Sequence, residues 1–324
     1  MIAALLLLLS THAYALDVVC TLPYLGDIAH RIAPAATVTT LSKGTDDPHF
    51  LSPTPALMAK VSTADLYVEN GLNLELWSEK LLDSAGNPKI RPGSPGYVKA
   101  TDGMTRLEVP TELTRAKGDL HPEGNPHVWL DPLNAPTAAD NIAAGLARVD
   151  PANAATYQAN AKAFRQKIEE ASFGADLVSF MGGDMLLRLA QSGKLDSFLA
   201  SKGLTARLGG WMKAGASLKG KPMVFYHQSW VYFTHRFGIN AVGFVEDRPG
   251  IAPTAAHRDQ LLSIIKTNNV KVIEVTSYYD PKIPNLLAQS SGARVAVVAG
   301  DVGGTPEARD YFSLISSIIT AFTQ

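Results

Sequence analysis

Two blocks of short β-branched runs flank one long helical stretch, and each run is followed by an amphipathic segment. This alternation restricts the fold more than any other feature. In the first block "DVVCT" (17–21), "ATVTTLS" (36–42), "DLYVEN" (65–70) and "GYVKA" (96–100) read as strands. "GDIAHRIAP" (26–34), "PALMAKV" (55–61) and "LNLELWSEKLLDSAG" (72–86) read as helices between them. In the second block the expected strands are "KPMVFYH" (221–227), "NAVGFVE" (240–246), "VKVIEVT" (270–276) and "ARVAVVAG" (293–300). The helices there fall at 229–238, 254–269 (capped by Thr254), 281–292 and 305–322. Strand–helix–strand order implies mainly parallel sheets flanked by helices, the α/β class.

Between the blocks, "PTAADNIAAGLARVD" (136–150) runs into "PANAATYQANAKAFRQKIEEASF" (151–173). Asp150 is the expected N-cap, with Pro151 in the first turn. Tyr157, Ala161, Phe164 and Ile168 share one helix face. At ~1.5 Å per residue this helix reaches ~30 Å, enough to join two lobes. Residues 174–215 carry two glycine pairs and short helical pieces, expected as a helical insertion. The predicted organisation is a lobe over 16–150, a linking helix over 151–173, the insertion, and a second lobe over 216–324.

The N-terminus follows another logic. "MIAALLLLLSTHAYA" (1–15) holds an apolar run and an Ala-Tyr-Ala site, the signature of a cleaved signal peptide and hence of export. No Lys or Arg precedes the run, and a buried N-terminal strand or helix is the alternative. The run is shorter than the ~20 residues that span a bilayer, and no second one exists, so the mature chain is expected to be soluble. Cys20 is the sole cysteine, which excludes an intrachain disulfide. Asp17 and the lack of a small residue before Cys20 favour a free thiol over a lipidated one. The net charge of -1 supplies no basic field for nucleic acid or anionic lipid.

Of eight histidines, His12 lies in the signal segment, His30, His235 and His257 on expected helices, and His121 in a polar loop. None of these is expected to be functional. His49 in "GTDDPHFLSPTP" lies just past a strand, His127 sits in the turn-rich "GNPHVWLDP", and His227 ends a strand. Ligands of open α/β sheets bind at the carboxyl ends of strands. Three imidazoles gathered there, with one carboxylate, would make a four-coordinate site suited to Zn²⁺. Asp46, Asp47 and Asp131 are candidates to accept from the second ring nitrogens.

"DPHFLSPTP", "NPHVWLDP", "YHQSWVYF" and "GARVAVVAGDVGG" resemble the periplasmic metal-binding proteins of zinc and manganese ABC importers, the ZnuA/TroA family. The resemblance covers nearly the whole mature chain. It implies two α/β lobes joined by one rigid helix, with the metal between them. Carried over, the family's ligands fall on His49, His127 and His227, with Asp301 as the fourth. "AGDVGG" departs from the family's Leu-Asp-Pro pattern, which leaves Glu246, Asp247 or a water as alternatives to Asp301. Histidine at 227, where manganese members often carry Glu, favours Zn²⁺ over Mn²⁺. The loop 114–125 is short and holds only His121, where many zinc members carry a long His-rich loop.

The implied function is capture of Zn²⁺ in the periplasm and delivery to an ABC permease in the inner membrane. A periplasmic metallochaperone is a further candidate partner, and a monomer is expected. The alternatives are a manganese or iron receptor of the same family, a secreted zinc hydrolase, or a cell-surface adhesin. No HExxH helix and no obvious general base supports hydrolysis, so the chain is expected not to be an enzyme.

Overall fold

The computed structural model describes residues 15–111, 121–248 and 250–324. The expected signal peptide lies outside the described residues except for Ala15, as does most of the loop 114–125. Among the described residues eight strands form two sheets. The first holds β1 (Asp17–Cys20), β2 (Thr37–Thr40), β3 (Leu66–Glu69) and β4 (Tyr97–Lys99) in the order β2-β1-β3-β4. The second holds β5 (Pro222–Phe225), β6 (Asn240–Phe244), β7 (Val272–Thr276) and β8 (Arg294–Val298) in the order β6-β5-β7-β8. All six strand pairings are parallel. A parallel sheet needs cover on both faces, and β3 and β7 are buried along their whole length. In each sheet the chain order reverses between the two central strands. That is the switch point beyond which loops can cradle a ligand.

The long helix follows the expected face. After a 3₁₀ turn at Pro151–Asn153, Ala154–Phe173 runs for 20 residues and buries Tyr157, Ala161, Phe164 and Ile168. One apolar core takes in this face, Val18, Leu25 and Ile28 of the first lobe, and Met223, Leu314 and Phe322 of the second. The helix is thus a shared wall of both lobes. Asp150 does not cap it: its carboxylate accepts instead from the Tyr157 hydroxyl at 2.6 Å and from Asn153 Nδ2 at 2.7 Å. Residues 174–215 form the helices Ala175–Met181, Gly183–Gln191, Leu195–Ser201 and Gly210–Ala214. Phe173, Leu177, Leu186 and Leu199 form a core of their own there.

Two other helices are shorter than their periodicity suggests. The segment 72–86 is helical only over Ser78–Ala85. Its first part is a left-handed turn, with Gly71, Leu72 and Asn73 at φ of 90°, 55° and 59°. The buried Glu75 carboxylate stabilises the turn by accepting from Asn70 N–H (2.7 Å), Gly71 N–H (3.0 Å) and the Thr21 hydroxyl (2.6 Å). The last helix begins at Tyr311, not 305, because Asp310 caps it by accepting from Ser313 N–H at 2.7 Å. Thr254 caps its helix as expected.

The lobes meet closely. Trp129 Nε1–H donates to Gly300 O at 2.8 Å, and the Tyr311 hydroxyl donates to Trp129 O at 2.6 Å. A Cβ on Gly44 would collide with the Val302 carbonyl, so the residue before the His49 loop has to be small. Cys20 is buried on β1 as a free thiol, its pKa raised by burial. Among the described residues no helix is long and apolar enough to cross a membrane.

Candidate metal centre

The loops that build the centre leave the carboxyl ends of both sheets. His49 follows β2 and sits behind an Asp47 turn in which Asp47 Oδ1 accepts from His49 N–H at 3.1 Å. Trp77 Nε1–H donates to Pro48 O at 3.0 Å and pins that turn. His127 precedes the 3₁₀ turn Val128–Leu130. Asn70, just past β3, supports it by donating to Pro126 O at 3.0 Å while accepting from the Tyr24 hydroxyl at 2.7 Å. His227 stands two residues past β5.

The three rings converge. One nitrogen from each of His49, His127 and His227 lies within 4.8 Å of the other two. Ring centres are 5.2 Å apart for His49–His127, 5.5 Å for His49–His227 and 5.8 Å for His127–His227. With a Zn–N distance of ~2.0–2.1 Å and about 1.1 Å from nitrogen to ring centre, tetrahedral imidazoles stand roughly 5 Å apart, centre to centre.

Each ring is oriented through its Nδ1. His49 Nδ1 meets Asp47 Oδ1 at 2.7 Å, His127 Nδ1 meets Asn125 Oδ1 at 2.9 Å, and His227 Nδ1 meets Glu246 Oε2 at 2.7 Å. Asn125 uses its Nδ2 to donate to Glu108 and Gln228 O, which assigns its oxygen to His127. Carboxylates and amide oxygens only accept, so each Nδ1 carries a proton, and in a neutral ring the Nε2 lone pair is left for a cation. His127 Nε2 is fully buried without a hydrogen-bond partner. A buried polar atom without a partner is costly and calls for a ligand. Burial, and then repulsion from the rings of His49, His227 and His121, push the His127 pKa well below the ordinary imidazole value, so it stays neutral. Burial alone would raise the Asp47 carboxyl, but hydrogen bonding to His49 outweighs it and holds the pKa below the usual range.

Asp301 does not join the trio. It lies past β8, buried, with Oδ1 accepting from Val302 N–H at 2.6 Å. Burial pushes its pKa up to about 8. Glu246 is in contact with the site as the acceptor of His227. Asp247 pairs with His257 at 3.4 Å. Asp131 was a candidate acceptor for His127, yet it is taken up by Arg236, and Asn125 has that place. His121, read from sequence as a loop residue without function, lies beside the trio: its Nε2 is 3.3 Å from His49 Nε2. The one sequence signal for it was its position six residues before His127.

A family model described as "ZnuA: Zinc-uptake complex component A periplasmic" matches residues 18–173 and 201–324. Residues 174–200, most of the extra helical segment, fall in its gap. The iron-binding protein YfeA of Yersinia pestis is 36% identical over 161 residues, 49% of this chain and 48% of that protein. The zinc-binding lipoprotein AdcA of Streptococcus pneumoniae (strain ATCC BAA-255 / R6) is 24% identical over 288 residues, 87% of this chain and 49% of that protein. The chain thus spans about half the length of these curated relatives. A crystal structure of ZnuA superposes with a TM-score of 0.70 at 24% identity, covering 95% of this chain and 98% of that one. At that identity the likeness speaks for the fold.

Proposed function

The chain belongs to the ZnuA family of periplasmic zinc-uptake components, and from that premise and the histidine trio we propose that it captures Zn²⁺ between two lobes for import. His49, His127 and His227 bind the ion through Nε2. Asp47, Asn125 and Glu246 hold the rings in the binding tautomer. The observation that carries the reading is the buried His127 Nε2, which has no partner and points where two other imidazoles converge. Imidazole donors suit zinc, whereas harder oxygen donors suit manganese. Capture is favoured over hydrolysis because the two carboxylates nearest the trio, Asp47 and Glu246, are each engaged on an imidazole, which makes them positioning groups rather than general bases.

The reading includes export to the periplasm, a monomeric receptor, lobes over 16–150 and 216–324 around the linking helix, and an ABC permease as recipient. Purified mature protein is expected to take up one Zn²⁺ in a chelator-competition titration. At zinc a thousandfold above Kd, the folded state should gain about 4 kcal/mol, read as a higher Tm. No uptake and no shift in Tm would reject the site. Glu246→Ala removes the acceptor of His227 Nδ1 and should weaken zinc binding by about 10–100-fold at unchanged stoichiometry. Unchanged affinity would show that the carboxylate does not hold the ring.

A further inference from the structure

We propose that Glu274, a carboxyl inside the second sheet, is the positioning residue that fixes His227 and so sets how long Zn²⁺ stays bound. The inference rests on the capture reading above and adds to it a residue outside the donor set. Glu274 is wholly buried on β7. On one side β7 pairs with β8 along its whole length, as far as Thr276 with Val298. On the other side it pairs with β5 only at Met223 with Val272 and Val224 with Ile273, although β5 runs on to Phe225. Past that point β5 stays with β6: Phe225 pairs with Phe244, and the Phe225 and Tyr226 carbonyls accept from Val245 and Glu246 N–H at 2.8 and 3.0 Å. The two central strands thus part beyond Val224, and the Glu274 side chain supplies the acceptor that β7 backbone no longer offers. Its Oε2 accepts from Tyr226 N–H at 3.0 Å and its Oε1 from the Thr276 hydroxyl at 2.7 Å.

The consequence falls on His227. Tyr226 is held by Glu274 at its N–H, by Glu246 N–H at its carbonyl, and by Tyr279 against its ring, stacked at 4.3 Å and 9°. His227 is the next residue, and the Glu246 carboxylate meets its Nδ1. A buried N–H without an acceptor is costly, so without Glu274 this end of β5 would move toward another acceptor and carry His227 with it. The first lobe repeats the device. Glu75 accepts from the Thr21 hydroxyl past β1 and from Asn70 and Gly71 N–H past β3, and Asn70 donates to Pro126 O beside His127. Each sheet therefore has one buried carboxyl at its switch point, linked to a segment that carries a ligand histidine. Of the trio, His227 alone comes from the second lobe. Zn²⁺ leaves only when a ligand lets go, so a loosened His227 shortens residence without slowing first contact with His49 and His127.

The test uses the full mature chain with Glu274→Met, which fills the space without a strong acceptor, and Glu274→Gln, which keeps a carbonyl oxygen for Tyr226 N–H. Stopped-flow exchange of Zn²⁺ with a chelating dye gives on- and off-rates. Glu274→Met should raise the off-rate about tenfold, the lower end of what loss of an indirect partner costs in metal affinity. It should leave the on-rate as in the parent and alter the visible bands of bound Co²⁺. Glu274→Gln should restore parental rates and bands. In a His227→Ala background Glu274→Met should change nothing further, because both act through one imidazole, whereas in a His49→Ala background its effect should persist. Parental zinc rates in Glu274→Met, with only its stability to urea reduced, would overturn the proposal. So would an undiminished effect in the His227→Ala background, or a Glu274→Gln variant as impaired as Glu274→Met. If Glu274→Met does not fold, amide exchange in the unaltered metal-free chain decides: a slow Tyr226 N–H supports the proposal, and exchange as fast as in an open loop overturns it. A parent protein that takes up no Zn²⁺ would instead sink the capture reading itself.

Discussion

His127→Ala is expected to weaken Zn²⁺ binding by about 10²–10³-fold. The estimate divides the roughly 10–16 kcal/mol of a four-ligand structural zinc site by its ligands, which gives about 2.5–4 kcal/mol each. His127 should sit at the upper end. Its ring is 1% exposed, so water has poor access to replace the lost nitrogen. Its neutrality is secured before the metal arrives, because burial and three neighbouring rings oppose protonation. The control is His235→Ala, an exposed residue on the helix Val231–Phe237, which should bind zinc as the parent does. Chelator competition on both proteins decides. Equal affinities would contradict the site.

Arg236→Ala should destabilise the metal-free protein by about 3–5 kcal/mol, the cost of stranding a buried charge. The Arg236 and Asp131 side chains are 9% and 5% exposed. Arg236 Nε–H donates to Asp131 Oδ1 at 2.9 Å and Nη2–H to Oδ2 at 2.7 Å. Nη1–H donates to Ala190 O at 2.7 Å, so one guanidinium ties together the metal loop, a second-lobe helix and the extra helical segment. Truncation leaves both the carboxylate and the Ala190 carbonyl without that partner. The double variant Asp131→Leu/Arg236→Met removes both charges and should recover much of the loss, since an apolar pair of similar volume often replaces a buried ion pair at little cost. Urea unfolding measures both. A loss below about 1 kcal/mol in Arg236→Ala would mean that water reaches Asp131.

Much of this arrangement was legible in the chain. The β-branched runs gave eight strands close to their observed bounds, because parallel strands buried on both faces must be apolar and continuous. The long helix was legible from Tyr157, Ala161, Phe164 and Ile168, since a fixed 3.6-residue period maps spacing onto a face. Where local pattern failed, a contact from elsewhere in the chain had taken over. Apolar residues at 72–77 suggested helix, but Glu75 closes onto Asn70, Gly71 and Thr21 and stabilises a turn instead. Asp150 looked like a cap, but Tyr157 reaches back to it.

The centre divides along the same line. His49, His127 and His227 stood out by sequence alone because each sits at a strand end or tight turn where an imidazole is presented. The partners of their second nitrogens did not follow from spacing: Asp47 is a neighbour in sequence, but Glu246 reaches His227 from another strand end. Local sequence fixes which groups a loop offers and which tautomers its turns allow. Distances between groups far apart in the chain arise only when two sheets and one shared helix pack together, and those distances set which lone pairs face the same point.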